Sequence, residues 1–410
     1  PLVELQKGGQ PMTRDDCFDR ILDLEKRTAL TAFPPLHSLT TYWRLDLRAH
    51  EVRYILQFSK SAAYVCPWKF RNFDYVEMIQ SIHGELPDLK AVVCIDDVSH
   101  PDVQSFRQAI DSIPEINETH RVRVDADRIM RMCFTSGTTG NPKGVLHSFN
   151  TTLCASRFLS ADMRVDENDV FLIWLPVGLN WGYLTLLQAV MAGARAVLLE
   201  KFSASAALDA IEREGATYIP TAPASIVALL NDKSLNERDL SSLRVVITGG
   251  ASANVETIKA FQSAVPSASL IELYGMLETG FHSYTRFEDD PLLVNGTIGR
   301  CISQMELAIL DDTGRPAPHG QQGEIAAKGP SVHLGYLDNA AANRDSFTAD
   351  GWFLTGDLGE FVDAAGNVRI SGRKKEIINR GGKKYFPREI EEILAGHPAL
   401  LQAAVVGLPD

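Results

Sequence analysis

The sequence runs to 410 residues, 45% of them hydrophobic, with a mean hydropathy of -0.07, which suits a water-soluble globular chain large enough for two or more domains. Its net charge of -12, from 40 Lys+Arg against 52 Asp+Glu, argues against nucleic acid or an anionic membrane as the main partner. Six cysteines, at 17, 66, 94, 133, 154 and 301, show no paired spacing, so neither a zinc site nor a disulfide framework is expected and a reducing cytoplasm is the simpler compartment.

Residues 1–48 mix charges, threonines and two adjacent prolines without sustained periodicity, and no function is assigned to them. From Glu51 the pattern clears. Val52, Ile55, Leu56 and Phe58 share one helix, 62–66 fits a strand, and 74–86, 89–95 and 101–113 predict helix, strand and helix. Residues 130–134 read as a strand and 145–155 as a helix, with a polar glycine loop between. Further strands are expected at 170–175, 194–199, 216–219, 243–248 and 269–273, with helices between them. The longest apolar run, 184–199, is broken by Arg195 and falls short of the ~18 residues of a membrane span; it reads as a buried helix followed by a strand.

From about Gly296 the texture turns to short β segments with Gly and Pro turns, at 305–311, 323–327, 352–354 and 367–370. Residues 376–397 return to turn and helix, Pro387 starting the helix. Residues 401–410 read as a strand entering a turn without its partners, as in a fragment, and the first residues resemble no secretion signal. The expected fold is α/β: a large N-terminal domain of parallel sheets with flanking helices at 49–295, completed by a small β subdomain at 296–372. A hinge and the beginning of a small, truncated α+β C-terminal domain follow at 373–410.

The loop Thr135-Ser136-Gly137-Thr138-Thr139-Gly140-Asn141-Pro142-Lys143-Gly144 holds the densest chemistry. Its glycines let the backbone approach a ligand, four hydroxyls donate to phosphate oxygens, and Lys143 adds a cation. Between a strand and a helix its amides would face an anion. It is not a Walker A motif, since no Gly-Lys-Ser/Thr closes it and Pro142 removes an amide. Ligands of open α/β sheets bind outside the carboxyl ends of the strands, so this loop and the turns at Thr248-Gly249-Gly250 and Tyr274-Gly275 are expected around one pocket. Glu278, just past a strand and near the phosphates, suggests a magnesium ligand, with a solvated surface carboxylate as the bland alternative.

Thr-Ser-Gly-Thr-Thr-Gly-x-Pro-Lys-Gly resembles the signature loop of the acyl-adenylate-forming, AMP-binding superfamily, which includes acyl-CoA synthetases, adenylation domains and luciferases. Three further segments follow in the family's order. Tyr274-Gly275-Met276-Leu277-Glu278 is similar to Tyr-Gly-x-Thr-Glu, with Leu277 in place of a threonine that touches the adenylate phosphate. Gly351-Trp352-Phe353-Leu354-Thr355-Gly356-Asp357 is similar to the segment whose aspartate accepts both ribose hydroxyls. Gly372-Arg373-Lys374-Lys375-Glu376 is similar to the hinge, with Lys375 on the pivot, and Asn379-Arg380-Gly381-Gly382-Lys383 to the loop that lets a pantetheine arm pass.

The resemblance implies that Thr135, Ser136, Gly137, Thr138, Thr139, Gly140, Lys143, Gly250, Ala251, Glu272, Tyr274, Gly275, Asp357 and Arg373 bind ATP. It implies catalytic roles for Lys143, Glu278 and Arg373, with Glu278 holding Mg2+. Leu175-Pro176-Val177-Gly178-Leu179-Asn180-Trp181-Gly182 matches the family's Pro-x-x-His segment with Leu179 for the histidine, and Asn180 aligns with the reader of an ortho substituent in aryl-acid ligases. A compact acid pocket of Leu179, Asn180, Trp181, Gly249, Ala251 and Met276 is therefore implied.

The implied reaction is AMP-forming ligation of a small cyclic carboxylic acid, alicyclic or aromatic, through an acyl-adenylate, to coenzyme A. The alternatives are transfer to the phosphopantetheine of an acyl carrier protein, as in a 2,3-dihydroxybenzoate-AMP ligase, and a degenerate nucleotide-binding protein. The family's C-terminal catalytic lysine has no counterpart at Lys383 or Lys384, so the chain is expected to adenylate poorly as it stands.

Overall fold

The computed structural model describes residues 47–97, 99–111, 125–135, 142–250, 255–290, 296–380 and 383–387, with short pieces of the two ends at 2–4, 6–7, 10–11, 40–41, 390–391, 394 and 404–407. The alternating pattern after residue 48 forms α1 (Ala49–Phe58), β1 (Ala63–Cys66), α2 (Tyr75–His83) and β2 (Ala91–Cys94). Asp74 starts α2 by accepting the Glu77 amide at 2.9 Å. Val52 and Leu56 of α1 bury against Val76, Ile79 and Ile82 of α2 and Val92 of β2. β1, β2 and Gln104–Ser105 make a three-stranded parallel sheet. The helix expected at 101–113 begins later, at Phe106–Asp111, because 104–105 join that sheet; residues 112–124 lie outside the described ones.

β3 (Ile129–Phe134) forms as expected, but the helix expected at 145–155 does not. Residues Gly144–Ser148 are a strand, β4, paired antiparallel with β3 so that Gly144 faces Phe134. α3 (Phe149–Asp162) starts only after Ser148, whose hydroxyl accepts the Thr151 amide at 3.2 Å. β4 is buried along nearly its whole length, and a strand covered on both sides shows no alternation to set it apart from a helix. The glycine loop therefore closes a hairpin instead of opening a helix. β3 also belongs to a separate three-stranded sheet, with β4 and Thr40–Thr41, and not to the row of parallel strands.

The main sheet has eight strands. Its elements in chain order are β5 (Val170–Ile173), α4 (Asn180–Ala192), β6 (Arg195–Leu199), α5 (Ala204–Glu214), β7 (Tyr218–Thr221), α6 (Pro223–Leu230), β8 (Val245–Gly249), α7 (Val255–Ala264), β9 (Ser269–Met276), β10 (Gly280–Tyr284) and β11 (Arg300–Cys301). Across the sheet the order is Leu2–Glu4, β6, β5, β7, β8, β9, β10, β11. β5 to β9 are parallel, as expected; Leu2–Glu4, β10 and β11, which were not among the strands expected, run against their neighbours and make the sheet mixed. Both faces are covered, which explains the unbroken apolar strands. Val246 and Leu270 face α5, α6 and α7 through Leu208, Ile211, Ile226 and Phe261, while Ile247 and Ile271 face α3 and α4 through Leu159 and Leu184.

β12 (Glu306–Leu310), β13 (Gly323–Lys328), α8 (Ala340–Ser346), β14 (Phe353–Phe361) and β15 (Val368–Arg373) follow, and the four strands make an antiparallel sheet around Ile309, Ile325 and Val368. Beyond them β16 (Ile378–Arg380) pairs with β17 (Lys383–Tyr385), a hairpin within the segment read as turn and helix; Pro387 does lie in helical backbone. Of 401–410 only 404–407 are described, and they form no strand. Among the described residues no helix is long and apolar enough to cross a membrane, and Cys66, Cys94, Cys133, Cys154 and Cys301 are free thiols.

An ionic latch fastens the amino ends of the parallel strands. Asp169, just before β5, accepts from Arg244 Nε at 2.9 Å and Nη2 at 2.6 Å, and from Thr217 Oγ1 at 2.6 Å; these donors immediately precede β8 and β7. Burial pushes the Asp169 carboxyl up, but the Arg244 and Thr217 bonds outweigh it and hold the group below its ordinary 3.8. Asp169→Ala removes the carboxylate from Arg244 and Thr217, although Arg244 keeps the Met163 and Arg164 carbonyls, and is expected to cost about 2 kcal/mol in chemical denaturation at neutral pH. Because the folded-state pKa is the lower one, the advantage of the parent is complete above the ordinary aspartate value and disappears as pH falls through the lowered value.

Candidate functional site

The site is built around the tight turn between β9 and β10. β9 runs through Tyr274 to Met276, the chain turns at 277–279, and β10 returns alongside. The strands approach so closely at Gly275 that a Cβ there would sit 2.2 Å from the Gly280 carbonyl oxygen, so only glycine fits. Glu278 stands in the turn. Its Oε1 accepts the Tyr336 hydroxyl at 3.0 Å, and the Lys143 ammonium lies 4.0 Å from the centre of the Tyr336 ring. Burial raises the Glu278 pKa; the Tyr336 bond and the charges of Lys143 and Arg373 offset this only in part.

Asp357, on β14, is buried, with Tyr274 Oη donating to Oδ2 at 2.7 Å and Arg373 Nε 3.2 Å from Oδ1. Arg373 is its register partner on β15, so the four-stranded sheet delivers both groups together. Lys143, Tyr274, Glu278, Asp357 and Arg373 thus gather at one place. Glu272 lies on the same face of β9 as Tyr274, two residues back, and is buried.

The mouth of the glycine loop is closed by the Thr135 amide donating to the Lys143 carbonyl at 3.1 Å and the Lys143 amide to Thr135 Oγ1 at 3.2 Å. Tyr54 Oη donates to the Pro142 carbonyl at 3.1 Å. Ser136, Gly137, Thr138, Thr139 and Gly140 lie outside the described residues, as does Ala251.

On the acid side, Trp181 lies against the turn after β8: a Cβ on Gly249 would be 3.4 Å from its ring and one on Gly250 3.8 Å. Gly250 has φ +77°, a conformation that favours glycine. Met276 is half-buried nearby, and Leu179 is exposed at the start of α4. Asn180, expected to read the substrate, also makes two bonds within the protein. Its Oδ1 accepts from Arg131 Nη1 at 2.9 Å and its Nδ2 donates to the Met276 carbonyl at 3.2 Å, so both ends of the amide are engaged by the protein. Lys375 lies exposed in the single helical turn Lys374–Glu376 after β15, where Lys374 pairs with Glu324 at 2.7 Å.

Several residues at the site were not singled out in the sequence. Tyr336 sits in a stretch with no period, and its one cue is that residues 334–337 pair with β4 in space. His147 was hidden in the segment read as a helix. Its Nε2 donates to the Leu277 carbonyl at 2.8 Å and its Nδ1 lies 3.1 Å from Thr151 Oγ1; burial, then the nearby Arg131 charge, keep the imidazole neutral. His333 donates its backbone amide to the Glu278 carbonyl at 2.8 Å. Burial drops its ring to a pKa of about 4, and the ring packs 4.7 Å from Tyr336 and edge-on to Phe353 at 5.0 Å.

Comparison with known proteins agrees with this geometry. The chain is 31% identical over 364 residues to the medium-chain fatty-acid–CoA ligase of Escherichia coli (strain K12), covering 88% of the chain and 64% of the relative. It is 38% identical over 279 residues to a methyl-dioxo-octahydro-indenyl propanoyl:CoA ligase of Mycobacterium tuberculosis, covering 68% of the chain and 53% of the relative. The chain thus spans less than two thirds of the length of either relative. The crystal structure of the anthranilate CoA ligase AuaEII in complex with anthranoyl-AMP superposes with a TM-score of 0.80 at 26% identity, over 90% of this chain and 70% of that one. The profile of the AMP-binding enzymes matches residues 38–337, well over half the sequence, and the chain belongs to that family.

Proposed function

We propose that the chain is the ATP- and acid-binding part of an AMP-forming ligase that activates a small cyclic carboxylic acid, aromatic or alicyclic, and passes it to coenzyme A. The observation that carries this reading is the meeting of Lys143, Tyr274, Glu278, Asp357 and Arg373, which come from four separate motifs. In it, Asp357 accepts the ribose hydroxyls; a carboxylate has about four acceptor positions, so these bonds add to those from Tyr274 and Arg373. Lys143 and the hydroxyls of Thr135, Ser136, Thr138 and Thr139 hold the phosphates, Tyr274, Gly250, Ala251 and Glu272 line the nucleoside, and Arg373 approaches the ribose or the α-phosphate.

Glu278 fits magnesium. Tyr336 occupies one of its oxygens, and among the described residues no group of three His, Cys, Asp or Glu forms a cage; Mg2+ is usually held by one or two carboxylates together with substrate phosphates and water. Bound there, the ion would neutralise charge on the departing pyrophosphate. The rest is positioning and charge: the acid's carboxylate attacks the α-phosphorus, pyrophosphate leaves toward Lys143, and a thiol later attacks the acyl carbon and releases AMP. The swing between the two half-reactions is assigned to Lys375, at a domain boundary near residues 373–375.

The flat wall of Trp181 over Gly249 and Gly250 supports a ring as the acyl group, and Leu179 and Met276 are assigned to the same side. The two bonds already made by the Asn180 amide leave it one N–H and one lone pair for a substrate, which favours a benzoate or cyclohexanecarboxylate over a more polar hydroxylated benzoate. The indenyl and anthranoyl groups in the names of two similar proteins point the same way.

Two measurements test this reading. Asp357→Ala is expected to weaken ATP binding about 10–100-fold by calorimetry, the size of one to two charge-assisted hydrogen bonds; unchanged binding removes the ribose role. In the full-length protein, hydroxamate-trapped adenylation across fatty, alicyclic and aromatic acids is expected to favour small rings about 10-fold or more. Equal turnover of long-chain fatty acids overturns the substrate class, ATP binding with no hydroxamate from any acid makes this a nucleotide-binding protein, and a thioester formed only on a carrier protein replaces coenzyme A as acceptor.

A further inference from the structure

We propose that His147 and Asn180 are positioning residues for Glu278, acting through the backbone carbonyls of the turn that bears it. Three consecutive carbonyls of that turn are each held by a different element. Asn180 Nδ2, from the start of α4, donates to Met276 at 3.2 Å; His147 Nε2, from β4, to Leu277 at 2.8 Å; and the His333 amide to Glu278 at 2.8 Å. A carbonyl only accepts, so His147 presents Nε2–H, with Nδ1 left to accept from Thr151. With its three peptide planes fixed from three sides, the turn has little freedom to reorient the Glu278 side chain.

The donors are themselves braced. The buried guanidinium of Arg131 donates to Asn180 Oδ1 at 2.9 Å, to Thr152 Oγ1 at 2.9 Å and to Cys133 Sγ at 3.3 Å, tying α4, α3 and β3 together under the turn. Asn180 precedes Trp181, the wall of the acid pocket, so a single amide joins that wall to the carboxylate that faces the phosphates. Outer groups that orient a metal ligand typically account for 10–100-fold in metal affinity.

This inference rests on the reading of Glu278 as the magnesium ligand. The test compares the parent 410-residue chain with His147→Leu, His147→Gln and Asn180→Ala in two measurements: calorimetric ATP binding titrated with Mg2+, and hydrogen–deuterium exchange of residues 276–280. His147→Leu and Asn180→Ala are expected to raise the Mg2+ needed for half-maximal ATP binding about 10–100-fold and to speed exchange of 276–280. His147→Gln, whose amide N–H can reach the same carbonyl, is expected to stay within about 3-fold of the parent.

The inference is overturned if Asn180→Ala and a folded His147→Leu leave both readouts at parental values, or if His147→Gln falls as far as His147→Leu. Should His147→Leu not fold, Asn180→Ala and His147→Gln decide. A parent that binds ATP without regard to Mg2+ refutes the metal reading of Glu278 instead, and exchange at 276–280 still decides whether the turn is held as described.

Discussion

The buried carboxylate of Asp357 is the constraint on which the site depends. A carboxylate withdrawn from water is tolerable only if donors surround it, and here they come from two sheets: Tyr274 from the eight-stranded sheet and Arg373 from the four-stranded one. The contact therefore fixes the two sheets against each other at the place where a nucleotide would lie. Glu278, four residues beyond Tyr274, inherits its position from the same junction, and Lys143 reaches it through Tyr336.

The legible part of this arrangement was carried by residues whose chemistry and local sequence coincide. Glycines with Lys143, Tyr274-Gly275, Gly356-Asp357 and Gly372-Arg373 each announce themselves within a few positions, and among the described residues Lys143, Tyr274, Asp357 and Arg373 do come together. What escaped was set by distant packing. β4 is buried on both sides, so its period carries no mark of a strand, and reading it as a helix hid His147 and placed the loop at the wrong kind of junction. Tyr336 matters because its segment pairs with β4, a relation between residues nearly two hundred positions apart. The parallel run β6 to β9 was readable from its alternation with helices, whereas the antiparallel return of β10 depended on a turn only three residues long.

Asn180 shows how a location can be read from sequence without the contacts that go with it. It does lie beside the acid-side residues, yet its amide spans Arg131 and the Met276 carbonyl, and sequence cannot tell which way an amide faces.

The latch at Asp169 has a consequence of its own. It binds the strands at the ends where they begin, whereas Gly249, Tyr274 and Met276 lie where they finish. Rigidity is thus concentrated in a base below the candidate site, and the rim above it is released from holding the scaffold together. A lineage built this way can rewrite its rim without first having to re-found the sheet.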